Sequence, residues 1–354
     1  MSLRPIYGHR QLLDRLAGTL ASSRFPQAAL LAGAAGVGKQ RIALWVAQGL
    51  LCESGPGAPC GSCGPCKQVD RLGHPDLHWF VPIPRPQAAD PAKQADEAAE
   101  ALSQVMEERR GTGLWQRPDG TASHALASVR LLHRRVSVTP FSGDRKVFVI
   151  GDAERLVVQE SSQEAANALL KVLEEPPADT TLILTATDPQ GLLPTIRSRL
   201  VALRVGRVSD EDVRDFLRKE SGRRWTDRAL EQRVLLAEGS IGQALWSGED
   251  GDDAAAQAAE SLLAAIRHGS GAWLPHAFRQ RTWAARGEFT DLLDALSVRL
   301  RNEVSEAAAK GAASGLSTRM EALRRIEATR AAAQGNANPQ LALTALALDL
   351  EPLL

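Results

Sequence analysis

The first two hundred or so residues alternate short apolar runs with amphipathic segments, whereas the rest of the chain carries apolar residues at helical spacing. Residues 10–22 read as an amphipathic helix. Ala28–Ala32 is an apolar run short enough for a buried strand, a glycine-rich turn follows, and Gln40–Leu51 returns to helical spacing. Further on, the pattern predicts a helix around Ser128–Val138, a strand over Lys146–Ile150, and a helix over Ser162–Leu173 that Pro176 and Pro177 must end. Thr181–Ala186 is another strand-length apolar stretch. Three parallel-type strands separated by helices predict a doubly wound α/β sheet.

After about Arg207 the strand signals stop. Ser209-Asp210-Glu211-Asp212 has the form of a helix cap with acidic residues in the first turn, and a small helical unit runs from there to about Trp246. The string GEDGDDAAA reads as a linker, and the chain from there to Leu354 reads as an all-helical bundle. The expected division is an α/β domain at 1–206, a helical unit at 207–248 and a helical domain at 249–354. Residues 82–125, rich in Pro, Ala, Asp, Glu and Gln, read as an insertion with solvated flanks and a helical middle, KQADEAAEALSQVMEERR.

Lys+Arg and Asp+Glu both number 42, so net charge gives no global argument for nucleic acid, and any such contact must come from a local basic face. Aromatic residues, at 4%, are too few for a base-stacking surface. No apolar run approaches the roughly 18 residues of a membrane-spanning helix, and the first residues do not resemble a signal peptide, so a cytoplasmic protein without membrane partners is expected.

Gly33-Ala34-Ala35-Gly36-Val37-Gly38-Lys39 has the form of a phosphate loop between a strand and a helix. Gly33, Gly36 and Gly38 allow backbone N–H groups to turn toward phosphate oxygens, and Lys39 supplies the neutralising charge. The next position, where a hydroxyl normally helps hold Mg²⁺, is Gln40. At the end of the Lys146–Ile150 strand, where a carboxylate is expected, stands Gly151, with Asp152 and Glu154 as awkward substitutes. Weak ATP or ADP binding without efficient hydrolysis is the expectation.

All four cysteines, Cys52, Cys60, Cys63 and Cys66, fall within fifteen positions. Two successive C-x2-C steps suit a tetrahedral Zn²⁺, and four sulfurs leave no open coordination position, so the site is expected to be structural.

NALLKVLEEPP (167–177), TLILTATDP and LLPTIRSRL (192–200) resemble the bacterial clamp-loader family of DNA polymerase III, as does the order of phosphate loop, cysteine loop and LGHPDLHWF. The run 336–341, NANPQL, resembles that family's collar ending. The resemblance implies a RecA-like AAA+ P-loop α/β domain with a zinc knuckle at 52–66, a small helical lid domain and a C-terminal all-helical collar domain. It also implies work beside gamma/tau and delta subunits, a sliding clamp and primer–template DNA, in the cytoplasm near the nucleoid. Ser198-Arg199 matches the family's SRC motif, with Leu200 in place of cysteine, and that match implies that Arg199 reaches in trans to a neighbour's γ-phosphate. Arg197 is a second candidate. Gly242 stands where a motor subunit carries a sensor arginine, and Thr185 or Thr187 where the family has its polar sensor. With these losses the resemblance implies the delta-prime type, itself hydrolysing no ATP. The rivals are an active gamma/tau-like ATPase and a zinc-bearing scaffold without a nucleotide role.

Arg130, Arg134, Arg135, Arg145 and Lys146 fit either a track for DNA phosphates or a solvated helix face. Arg214, Arg218, Lys219, Arg223 and Arg224 alternate with acids as ordinary surface does, and His74 and His78 read as structural.

Overall fold

A computed structural model describes residues 3–55, 57–112, 122–156, 163–222, 224–246, 254–281, 288–309, 315–334 and 337–354. The apolar runs become five strands: β1 (Ala28–Ala32), β2 (Leu77–Phe80), β3 (Lys146–Ile150), β4 (Thr180–Ala186) and β5 (Val201–Arg204). They form one sheet in the order β2-β3-β4-β1-β5, with every pair parallel. β3 and β4 are buried at every position, as strands covered on both faces must be. β4 lies between β1 and β3, so the carboxyl ends of those three strands open side by side, where ligands of such sheets bind.

Two strands lay outside the sequence expectation. β5 is a four-residue edge whose Val201 is exposed, and β2 is equally short, so neither produces a run of apolar residues long enough to stand out. The helices agree with the apolar rhythm to within two residues where they are described: Arg10–Ala21, Lys39–Leu50, Leu126–Val136 and Glu164–Glu174. Ser162, the expected start of the last of these, lies outside the described residues.

The insertion is less solvated than its composition suggests. Its middle forms the helix Pro91–Thr112, which buries Ala95, Ala98, Leu102 and Arg109 along one stripe. The neck is closed by a bridge between Ile83 and Ser123, and Arg134 reaches from helix Leu126–Val136 to Asp96 at 2.8 Å. Alanines at helical spacing carry a weak hydrophobic signal, which hid the packed face.

The helical unit after the sheet has its own small core of Val213, Phe216, Leu217, Leu230 and Val234. Ser209 caps helix Asp210–Glu220 by accepting from the Asp212 N–H, and Tyr7 meets Phe216 edge-on at 5.4 Å between ring centroids. This unit and the sheet domain form one body through Trp246.

Residues 254–354 make a separate helical body with its own core, including Leu263, Trp273, Phe289, Leu296, Ile326 and Leu343. Asn338 caps helix Pro339–Leu350, and the Trp273 indole donates to Glu351 at 3.0 Å. Most of the linker string and Asn336 of the collar-like run lie outside the described residues. Among the described residues no helix is long and apolar enough to cross a membrane.

Candidate functional site

β1 feeds the glycine loop directly into helix Lys39–Leu50. Gly36 has φ +73°, and a Cβ there would lie 2.5 Å from Ser240 Oγ, so both conformation and space demand glycine. The loop is fastened to the helical unit: Ser240 Oγ donates to the Ala35 carbonyl at 2.8 Å and the Gly242 N–H to the Gly36 carbonyl at 2.8 Å. Gly242, the position expected to lack a sensor arginine, is therefore a backbone contact of the loop.

Lys39, first residue of the helix, is buried with Nζ 2.8 Å from the Gly33 and Ala34 carbonyls and 3.0 Å from Thr187 Oγ1. Burial holds its pKa below the ordinary lysine value, while Asp152 and Glu154 push the other way. Thr185 is fully buried and its hydroxyl accepts from the Asp152 N–H at 3.1 Å. The Thr187 N–H donates to Glu154 Oε1 at 3.0 Å, and burial raises the Glu154 pKa with help from Asp152. The glycine-lined helix N-terminus with Lys39 suits a phosphate group.

The divalent-ion position does not fit the same way. The Gln40 side chain lies over the end of β3, and its Nε2 donates to Asp152 Oδ2 at 3.1 Å. A Cβ on Gly151 would meet the Gln40 amide at 2.8 Å, so the amide takes up the space a carboxylate there would need. Gln40 and Gly151 are thus packed as a pair where a hydroxyl and a carboxylate were expected. Arg109 arrives from the insertion helix: Nη1 donates to Gln40 Oε1 at 3.4 Å, and the guanidinium carbon sits 4.3 Å from the centre of the Trp79 ring. A buried cation beside an amide is a poor setting for Mg²⁺, which prefers hydroxyl, carboxylate and water oxygens. Behind the site His124, fully buried, makes a 2.7 Å hydrogen bond with the Gly151 carbonyl.

The helix that begins at Lys39 ends beside the cysteines. Sulfurs of Cys52, Cys60, Cys63 and Cys66 all lie within 4.8 Å of one another, with Cys52–Cys63 and Cys60–Cys66 each at 3.9 Å. Tetrahedral Zn–S bonds of about 2.3 Å place sulfurs roughly 3.8 Å apart, so the donor set fits zinc in number, softness and spacing. Cys63 caps helix Gly64–Asp70 by accepting from the Cys66 N–H, and Gln48 holds the Cys66 carbonyl at 2.9 Å. Hydrogen bonds from Ser54 and Ser62 and from the Cys63 N–H hold the Cys60 thiol down at about 5, whereas burial pushes Cys66 up. His74 accepts from the Asp76 N–H and His78 packs on Phe148, both apart from the sulfur group.

Arg199 follows the short helix Pro194–Arg197 and is about a third exposed. Its guanidinium donates to Glu174 Oε1 and to the Thr195 carbonyl, both at 2.7 Å. Glu174 ends the helix Glu164–Glu174, within the NALLKVLEEPP motif, and sequence reasoning gave it no role. Arg197 is turned to Gln190 instead. The five basic residues of the cluster do not share one face, although Arg130 and Arg134 line a common groove with Lys171. Lys146 is buried and donates to the Val136 and Val138 carbonyls, Arg134 pairs with Asp96, and Arg135 lies over the Phe80 ring. Arg214 pairs with Glu231, Lys219 with Asp215 and Arg218 with Asp227, while Arg223 lies outside the described residues.

A parallel sheet with a phosphate loop after an interior strand, a four-cysteine knuckle and a helical unit on the loop define a P-loop protein of the AAA+ type. Within that class the chain belongs to the clamp-loader family: residues 8–209 match the family model described as DNA polymerase III, delta subunit. It is 35% identical over 176 residues to the delta' subunit of Pseudomonas aeruginosa, covering 49% of this chain and 40% of that one. It is 28% identical over 207 residues to the delta' subunit of Bacillus subtilis (58% and 50%) and 31% identical over 244 residues to the tau subunit of Escherichia coli (68% and 31%). The matches thus span half or less of these relatives' own length.

Proposed function

We propose that this chain is the non-motor, delta-prime-type subunit of a clamp loader, acting with gamma/tau and delta subunits to place a sliding clamp on primer–template DNA. It hydrolyses no ATP of its own, although Gly33, Gly36, Gly38 and Lys39 hold ATP or ADP weakly. In this reading Cys52, Cys60, Cys63 and Cys66 hold a structural Zn²⁺ that fixes the loop, and residues 1–206, 207–248 and 249–354 are the nucleotide, lid and collar domains.

The observation that carries the reading is the packing of the Gln40 amide against Gly151, where a motor subunit needs a hydroxyl and a carboxylate for its metal. A site without those oxygens cannot place a divalent ion to stabilise charge on a transferring phosphoryl group. The catalytic contribution is then made to a neighbour. Arg199 is a planar, permanently charged donor, held on the surface by one carboxylate and one carbonyl, and it supplies charge in trans to the γ-phosphate of a motor subunit's ATP.

The test is the DNA- and clamp-stimulated ATPase rate of the reconstituted loader containing this chain or its Arg199→Ala variant. A fall of roughly a hundredfold or more with assembly intact is expected of a trans arginine. An unchanged rate removes the arginine-finger mechanism.

A further inference from the structure

The insertion helix Pro91–Thr112 carries a buried arginine into the part of the nucleotide site where the metal chemistry is missing. Arg109 is 5% exposed, yet guanidinium is a costly group to bury without partners. Its Nη1 donates to Gln40, its face lies on Trp79, and its Nε has no acceptor. Burial lowers its pKa to about 10, while Asp152 and Glu108 favour the charged form, so it is a cation at neutral pH. The helix is anchored at both ends: Arg134 pairs with Asp96 near its start, and Arg110 donates to the Arg71 and Leu72 carbonyls at its finish.

Gln40, Asp152 and Arg109 thus form a connected set beside the end of β3, with a buried unpaired donor on the arginine. Other arginines, Arg4 and Arg41 among them, also carry a buried nitrogen without an acceptor, so it is the place of Arg109 against Gln40 and Trp79 that points to a role.

We propose that Arg109 is a resident cation in the metal position, so that this chain binds nucleotide phosphates without a divalent ion. The proposal rests on the reading that the phosphate loop holds ATP or ADP. Arg109 contributes the positive charge, Gln40 orients it through the amide oxygen, and Asp152 fixes the other end of that amide. Mg²⁺ is disfavoured because its place is taken by a like charge and its hydroxyl and carboxylate ligands are absent.

Binding of a fluorescent ATP analogue by the full-length, zinc-loaded protein tests this, with magnesium omitted or present and no chelator added. Equal affinity in the two buffers is expected, and Mn²⁺ added with ATP should give no protein-bound signal in electron paramagnetic resonance. Arg109→Gln, which keeps an amide for Gln40, should bind about tenfold or more weakly without metal, as loss of a charge-assisted contact does. Tightening of the wild type by magnesium of tenfold or more, or recruitment of Mn²⁺, overturns the proposal while leaving nucleotide binding intact. Unchanged affinity of a folded Arg109→Gln protein also overturns it. Absence of any binding to the wild type overturns both this proposal and the nucleotide reading beneath it.

Discussion

The two ends of helix Lys39–Leu50 make opposite use of their chemistry. At its start the loop has the backbone form of a nucleotide site, while the Gln40 amide packed on Gly151 stands where metal-binding oxygens were expected. Beyond its end, Cys52, Cys60, Cys63 and Cys66 retain a complete donor set at tetrahedral spacing. The same rigid element serves both, with Gln48 near the sulfur end holding the Cys66 carbonyl and Lys39 at the other end holding Gly33 and Ala34. The backbone shape of the loop is held by packing and by its contacts with Ser240 and Gly242 whether or not the metal chemistry is present.

The comparison can be broken most severely at the sulfur end. Cys66→Ser removes a buried donor, and zinc bound per chain, measured by native mass spectrometry, should fall from one to zero. Because metal binding by such clusters contributes directly to folding, melting should drop on the order of 10 °C. An unchanged melting curve with zinc lost would make the cluster dispensable for stability and erase the contrast.

A second probe enters from behind the phosphate end, at His124. Burial pushes its pKa down to about 4, against the pull of the Gly151 carbonyl and Asp152. An unfolded histidine takes up a proton near pH 6.5, whereas the folded one stays neutral until about 4. The unfolded state therefore binds more protons in that window, and stability is lost as pH falls from about 6.5 toward 4, by on the order of 3 kcal/mol in all. Denaturant unfolding of wild type and His124→Gln across that range should show a shallower pH slope in the variant. Equal slopes would assign the acid sensitivity elsewhere.

The smallest effect sharpens the claim that Gln40 and Gly151 are packed as a pair. Gly151→Asp forces the Gln40 amide away from Asp152 and Arg109 and should cost about 1–2 kcal/mol. Adding Gln40→Thr should return part of that loss, with a coupling of about 1 kcal/mol in a double-mutant cycle. Strict additivity would mean that the two positions act independently.

Much of this arrangement was legible in the chain itself, and the remainder was hidden for definite reasons. β1, β3 and β4 announce themselves as apolar runs, and the glycine loop and cysteine spacing carry their chemistry in short range. β2 and β5 are four residues each, too short for a pattern. Arg109 sits among glutamates in a stretch that looks solvated, and its burial follows only from the meeting of its helix with Trp79 and Gln40. Lys146 was misread for the complementary reason: a charged residue at a strand start gives no hint that two backbone carbonyls will enclose it.

The Arg199–Glu174 pair has a consequence for discrimination. An arginine waving freely in solvent would engage any anion it met. One already bonded to a carboxylate and a carbonyl must give up those partners first, so the proposed transfer to a neighbour would be an exchange reaction. In that proposed exchange an acceptor richer in charge than a single glutamate would be favoured, by a modest margin because the pair is partly exposed. If Arg199 acts in trans as proposed, the pair would weigh the occupant of the adjoining site against this chain's own glutamate, favouring a terminal phosphate over an empty or spent site.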